Sequence, residues 1–254
     1  MTGVRAALLI AIIALVVGLP SPAAIRDDPD ALWHVVHALC LTDKTLTGLP
    51  APCLAVDRRR GFAVIPDLDS VTQVLVVPTR RVTGIESPGL LEPGSPNYWA
   101  YAWEARTYVE RRARRSIPRD MVAMAVNSTF GRTQRQLHIH VDCVARPVRE
   151  ILVALQAIIT GAWTRFPPNL MGRHYRIMRL EGADLGTRDP FKLLASGNAA
   201  ARADMGAWTL VLIGTDFGGT PGFVLLAGHG GVAENPAGAG EDLLDHNCAV
   251  LRSP

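Results

Sequence analysis

The run Gln136-Leu137-His138-Ile139-His140-Val141-Asp142 alternates polar and apolar residues without a break. A period of two marks a strand whose successive side chains go to opposite faces. Leu137, Ile139 and Val141 are assigned to a core. Gln136, His138, His140 and Asp142 share the other face, on the solvent side of a half-buried strand. Upstream, Met121 to Val126 is a continuous apolar run and reads as a central strand. Between the two lies Asn127-Ser128-Thr129-Phe130-Gly131-Arg132-Thr133-Gln134, a turn dense in small and hydrogen-bonding residues. The two strands form a hairpin that sets this turn beside the histidines.

The same reading gives the remaining elements. Phe62 to Ile65 and Gln73 to Val77 are strands of a hairpin turning at Asp67-Leu68-Asp69-Ser70. Spacing of three and four predicts a helix over 30–39, with Leu32, Val35, Val36 and Leu39 on one stripe. Asn97 caps a helix from Tyr98 to about Arg115, Pro147 opens one through Trp163, and Pro190 to Ala203 forms another. His174 to Leu180 is a strand, Trp208 to Ile213 and Phe223 to Ala227 make a third hairpin, and Glu241 to Cys248 is a short final helix. The chain is expected to be α+β, an antiparallel sheet with packed helices over 26–165. A smaller C-terminal α/β extension, 166–254, packs on that core.

Composition adds compartment and partners. With 48% hydrophobic and 19% charged residues the 254-residue chain is globular. A formal charge of +3 and 6% aromatic residues give no reason to expect a nucleic-acid partner. Arg5, the apolar run Ala6 to Leu19 and the small residues Ser21 and Ala23 fit a secretory signal, or an uncleaved anchor over residues 1–25. In both cases Arg5 stays inside and the body faces out. Four cysteines in an exported chain suggest two disulfides, and three connectivities are open. Cys40–Cys53 is favoured by proximity, leaving Cys143–Cys248 to pin the tail to the histidine strand. The basic run Arg111-Arg112-Ala113-Arg114-Arg115 suits a helix C-terminus, with attraction to an anionic lipid surface as the alternative.

Two imidazoles on one strand face fit three chemistries. They can ligate a metal, with Asp142 as a third ligand and His174 or His229 folding in. One can be a nucleophile toward phosphorus, given a neighbour that fixes its tautomer and donors for the phosphate oxygens. Or both can be structural. His34 and His37, one helical turn apart, have no acidic or cysteine ligand at the usual spacing.

The run Asn127 to Gln134, followed by Gln136-Leu137-His138-Ile139-His140-Val141, resembles the histidine-triad superfamily. Further blocks make nearly the whole chain after the apolar run similar to the bacterial CDP-diacylglycerol pyrophosphatase family. They are Val77-Pro78-Thr79-Arg80-Arg81 with Glu86-Ser87-Pro88, Arg188-Asp189-Pro190-Phe191 and His246-Asn247-Cys248. The resemblance implies a histidine-triad-like sheet and hydrolysis of the lipid CDP-diacylglycerol to CMP and phosphatidate at a membrane surface, from an anchored body. It implies no cofactor. It places the nucleophile at His138, with Gln136 first and His140 third in the triad. Gln136 departs from the histidine usual there, and a shifted triad of His138, His140 and Asp142 would make His140 the nucleophile. Asn127, Thr133, Gln134, Arg132 and backbone N–H groups near Gly131 are the expected phosphate and nucleotide contacts. Other nucleotide-conjugate hydrolases or transferases of the superfamily, a metal-dependent phosphohydrolase and an exported binding module are the rival expectations.

Overall fold

The computed structural model describes residues 28–252. The apolar run 6–19 lies outside them, and among the described residues no helix is long and apolar enough to cross a membrane.

The described residues form an antiparallel sheet of ten strands in the order β1-β2-β3-β5-β4-β8-β9-β7-β6, with β10 paired to β5 off that path. The strands are β1 (Ala55–Asp57), β2 (Phe62–Pro66), β3 (Val74–Pro78), β4 (Val122–Val126), β5 (Ile139–Val144), β6 (Thr164–Arg165), β7 (Arg176–Glu181), β8 (Trp208–Asp216), β9 (Pro221–His229) and β10 (Leu244–Asp245). The three expected hairpins are present. β1 is too short, at three residues beside Pro52 and Cys53, to show a period in the sequence. Strands from before and after position 165 share one sheet, because β4 pairs with β5 on one side and β8 on the other.

One face of the sheet carries the main core. Leu137, Ile139, Val141 and Cys143 meet Val74, Val76, Met124 and the helix α2 (Tyr98–Ala113). Asn97 caps α2 by accepting from the Ala100 N–H at 3.2 Å, and Arg114, in the left-handed region at φ 55°, ends it. Arg112, from its basic last turn, donates to the backbone carbonyls of Asp67, Ser70 and Thr72. That arginine is used inside the protein, holding the β2–β3 turn in place.

The other face is divided. Near β2 and β3, Leu32, Val36 and Cys40 of the helical segment α1 (31–46) cover Ala63, Ile65 and Val77. Leu39, placed on the same stripe by its spacing, is instead exposed. The segment is π-helical over Val35–Cys40, and those wider turns shift the stripe off a 3.6-residue period. Near β8 and β9, α3 (Arg146–Ala154) and residues 159–175 cover Ala123, Ala125, Val211, Ile213 and Leu226. Between these apolar patches lies the polar strip of β5.

Three expected helices differ. α3 stops at Ala154 rather than Trp163: the β-branched run Ile158-Ile159-Thr160 before Gly161 disfavours helix, and the Thr160 carbonyl accepts from Arg179 N–H at 2.7 Å. The 190–203 helix divides into α4 (Pro190–Gly197) and α5 (Ala199–Ala203), because Asn198 leaves helical geometry and caps the second by accepting from the N–H groups of Ala200 and Ala201. Residues 241–248 form a 3-10 turn (Gly240–Leu243) and then β10, where Leu244 pairs with Val144 and Asp245 with Cys143. Pairing to β5 overrides the local helical preference there.

Both expected disulfides are present, Cys40–Cys53 and Cys143–Cys248. The first ties α1 to the chain entering β1. The second ties the tail to β5.

Candidate active site

Alternation along β5 delivers His138, His140 and Asp142 to the divided face, as expected, but that face is not open. His138 is 8% exposed, His140 6% and Asp142 1%. The N-terminus of α1, the 67–73 turn and the 240–246 segment close over the strip and leave a cavity of about 310 Å³. His138, His140, Thr133, Gln134, Glu241 and His246 are among its lining residues. A larger cleft of about 650 Å³ lies on the opposite face between β1, β2 and α2. It contains no histidine and is separated from this chemistry by the sheet.

His138 Nδ1 is 2.8 Å from the backbone carbonyl of Gln136. A carbonyl can only accept, so Nδ1 carries the proton and Nε2 keeps its lone pair. Burial first, then the neighbouring His140, hold the His138 pKa down to about 4, so the ring is neutral near pH 7. The two rings meet edge to face with centroids 4.8 Å apart. Burial also lowers His140 to about 4. Its Nε2 stands 3.1 Å from Glu241 Oε2 without the alignment of a hydrogen bond, and Nδ1 has no partner among the described residues.

The expected contacts divide into those at the cavity and those committed elsewhere. Thr133 is at the cavity wall. Asn127, at the end of β4, accepts from the Glu241 N–H at 3.2 Å, and its amide also meets the Glu241 carboxylate. Burial raises the Glu241 pKa, and the Asn127 amide opposes that rise. Gln134 lines the cavity, but its side chain accepts from Leu32 N–H at 2.9 Å and donates to the Asp28 carbonyl at 3.0 Å, fastening the start of α1. Arg132 forms a bidentate pair with Glu86, at 2.5 and 2.7 Å. The N–H groups of Gly131 and Arg132 are spent on the Ser128 carbonyl inside the turn.

Gln136 corrects the expectation most directly. Its side chain, fully buried, donates to the carbonyls of Pro78 and Arg80 and accepts from Val82 N–H. The amide holds the 78–82 loop, and the backbone carbonyl of the same residue orients His138. His174 and His229 line a separate cavity of about 330 Å³ and do not join His138. Among the described residues the one grouping of three potential ligand residues is Asp142 with Cys143 and Cys248, whose sulfurs are bonded to each other.

Pattern reading missed the carboxylate of Glu241 and the pairing of His246 with Asp142. His246 Nδ1 lies 3.3 Å from Asp142 Oδ2, while Thr72 Oγ1 and the Cys143 N–H donate to Oδ1 at 2.7 and 2.9 Å. Asp142 chiefly raises the His246 pKa above its usual value. The sequence signal was present only as the His246-Asn247-Cys248 block and the disulfide to Cys143.

A family model described as CDP-diacylglycerol pyrophosphatase matches residues 27–252. A CDP-diacylglycerol pyrophosphatase of Yersinia pestis is 36% identical over 222 residues, 87% of this chain and 85% of its own length. Among solved structures, a DUF4931 family protein from Bacillus cereus matches with a TM-score of 0.44 at 11% identity, over 70% of this chain and 84% of that one.

Proposed function

The chain belongs to the CDP-diacylglycerol pyrophosphatase family, and from that premise we propose that it hydrolyses the pyrophosphate bond of CDP-diacylglycerol through a nucleotide held covalently on His138. The observation that carries this reading is the hydrogen bond from His138 Nδ1 to the Gln136 carbonyl, in a ring kept neutral by burial. The Nε2 lone pair forms a bond to the cytidine-bearing phosphorus. The bond from that phosphorus to the bridging oxygen breaks, and phosphatidate leaves with the electron pair. The ring becomes a cation whose Nδ1–H remains on a carbonyl, which stabilises the charge. Water then attacks phosphorus, the P–N bond returns its electrons to Nε2, and CMP leaves.

Thr133 offers a hydroxyl donor at the cavity wall, and Asn127 fixes Glu241, whose carboxylate faces His140 beside the reacting ring. Arg132 and Gln134 act indirectly, by shaping the turn and by fastening α1. The lipid substrate and the apolar run Ala6 to Leu19 support a body held at the outer side of the cell membrane.

In a thin-layer assay for CMP and phosphatidate, His138→Ala should lower turnover by about 10³-fold or more, with unchanged thermal unfolding. Wild-type enzyme quenched in acid during turnover of substrate labelled at the cytidine phosphate should carry acid-labile label. Retained activity in the variant, or faster turnover of soluble dinucleotides than of CDP-diacylglycerol, overturns the reading.

A further inference from the structure

Hydrolysis of a nucleotide on His138 needs a second proton carrier. His138 itself is bonded to phosphorus, and His140 has a carboxylate at its Nε2. The remaining imidazole at the cavity is His246, 104 residues from Asp142 in the chain. Its position is fixed from several sides. Cys248 is bonded to Cys143 on β5, and the hydroxyl of Ser70 donates to the His246 carbonyl at 3.0 Å. Nδ1 meets an Asp142 carboxylate whose side chain is wholly buried, while the imidazole is 40% exposed. The Nε2 of His246 has no hydrogen-bond partner among the described residues.

We infer that His246 is a catalytic residue for the second half of the reaction, the base that takes a proton from the attacking water, with Asp142 as its positioning residue. The inference rests on the covalent nucleotide proposed above. The atoms balance. The water oxygen bonds to phosphorus and its proton moves to His246 Nε2. The P–N bond breaks with its electrons going to His138 Nε2, and the protonated His246 returns its proton to solvent. Because Nδ1–H is held on Asp142, Nε2 is the nitrogen left to accept, and the carboxylate stabilises the cation that forms. A hydroxyl and a backbone N–H on the far oxygen fix the carboxylate in turn. A surface ion pair needs neither.

The groups facing His246 are Asp142 on β5, Glu241, Asp67 of the β2–β3 turn and His140. The first three, all acidic, raise its pKa, Asp142 most. The acid limb of wild-type kcat should therefore belong to His246 and lie above 6.5, well above the value near 4 that governs His138.

The test is rapid-quench kinetics on the full-length chain with CDP-diacylglycerol labelled at the cytidine phosphate. His246→Ala should lower kcat by about 10²-fold while releasing phosphatidate in a burst, with label accumulating on the protein. The acid limb near neutrality should disappear, and added imidazole should restore part of the turnover. His246→Gln, closer in size and polarity, should behave alike if the alanine variant folds poorly. Asp142→Asn should move the limb to lower pH. Unchanged turnover, a loss without burst or accumulated label, or accumulation in Glu241→Gln but not in His246→Ala overturns the assignment to His246 and leaves the nucleophile standing. Wild type and variants that form CMP yet never carry label overturn both.

Discussion

The two faces of β5 are both buried and differently built. On one, Leu137, Ile139, Val141 and Cys143 pack into the core under α2. On the other, His138, His140 and Asp142 are also buried, yet each meets a polar group or a cavity. Burial on the first face stabilises the fold. On the second it opposes charge, and the Gln136 carbonyl fixes which nitrogen of His138 carries the proton. One strand thus holds stability and chemistry in adjacent residues, and substitutions can separate them.

The sharpest separation pairs neighbours. His138→Ala should abolish turnover at little cost in stability, whereas Ile139→Ala should destabilise by about 2–5 kcal/mol through a cavity in the core, with kcat per folded molecule little changed. Urea unfolding and turnover measured on both variants check this, and equal losses of both properties in both would erase the distinction between the faces.

Acidity should act on the polar face alone. Both strand histidines are held near 4 in the folded chain against about 6.5 for an unperturbed imidazole, so between those values the unfolded chain binds more protons. Stability from this pair is complete above about 6.5 and is lost as pH falls toward 4, by roughly 3 kcal/mol per ring at the limit. His246 has the opposite sign: its raised pKa stabilises at low pH, and that contribution is lost as pH rises through its folded value. Urea midpoints at pH 7.5 and 5 should differ in the wild type, and less so in a His138→Ala, His140→Ala double variant.

The smallest effect concerns the turn beside the strip. Arg132→Gln breaks the pair with Glu86 and should cost about 1 kcal/mol, with a modest change in KM. Glu86→Gln should match it, since both remove the same tie. A KM rise confined to Arg132→Gln would instead put that guanidinium on the substrate.

Much of this was legible in sequence because it is local. The period of two assigned the faces of β5, Asn97 marked the start of α2, and the three hairpins followed from their runs and turns. What the sequence concealed is what distance in the chain brings together. Glu241 and His246 lie in a segment with helical local preference, and only pairing to β5 and the bond from Cys248 carry them to the cavity. Gln136 was read as the first member of the triad, but the loop carbonyls that claim its amide belong to Pro78 and Arg80, which its own surroundings do not announce. The polar strip read as solvent-side because alternation reports which face a residue takes and says nothing of what covers that face.

The sheet has no seam. β4 is bonded to β5 on one flank and to β8 on the other. Cutting the chain near 165 would strip a partner from β4 along its length and leave its amides and carbonyls open to any passing ribbon. It would also carry away Glu241 and His246. The half that holds His138 is therefore no miniature of the whole: alone it is a raw edge with an incomplete set of tools.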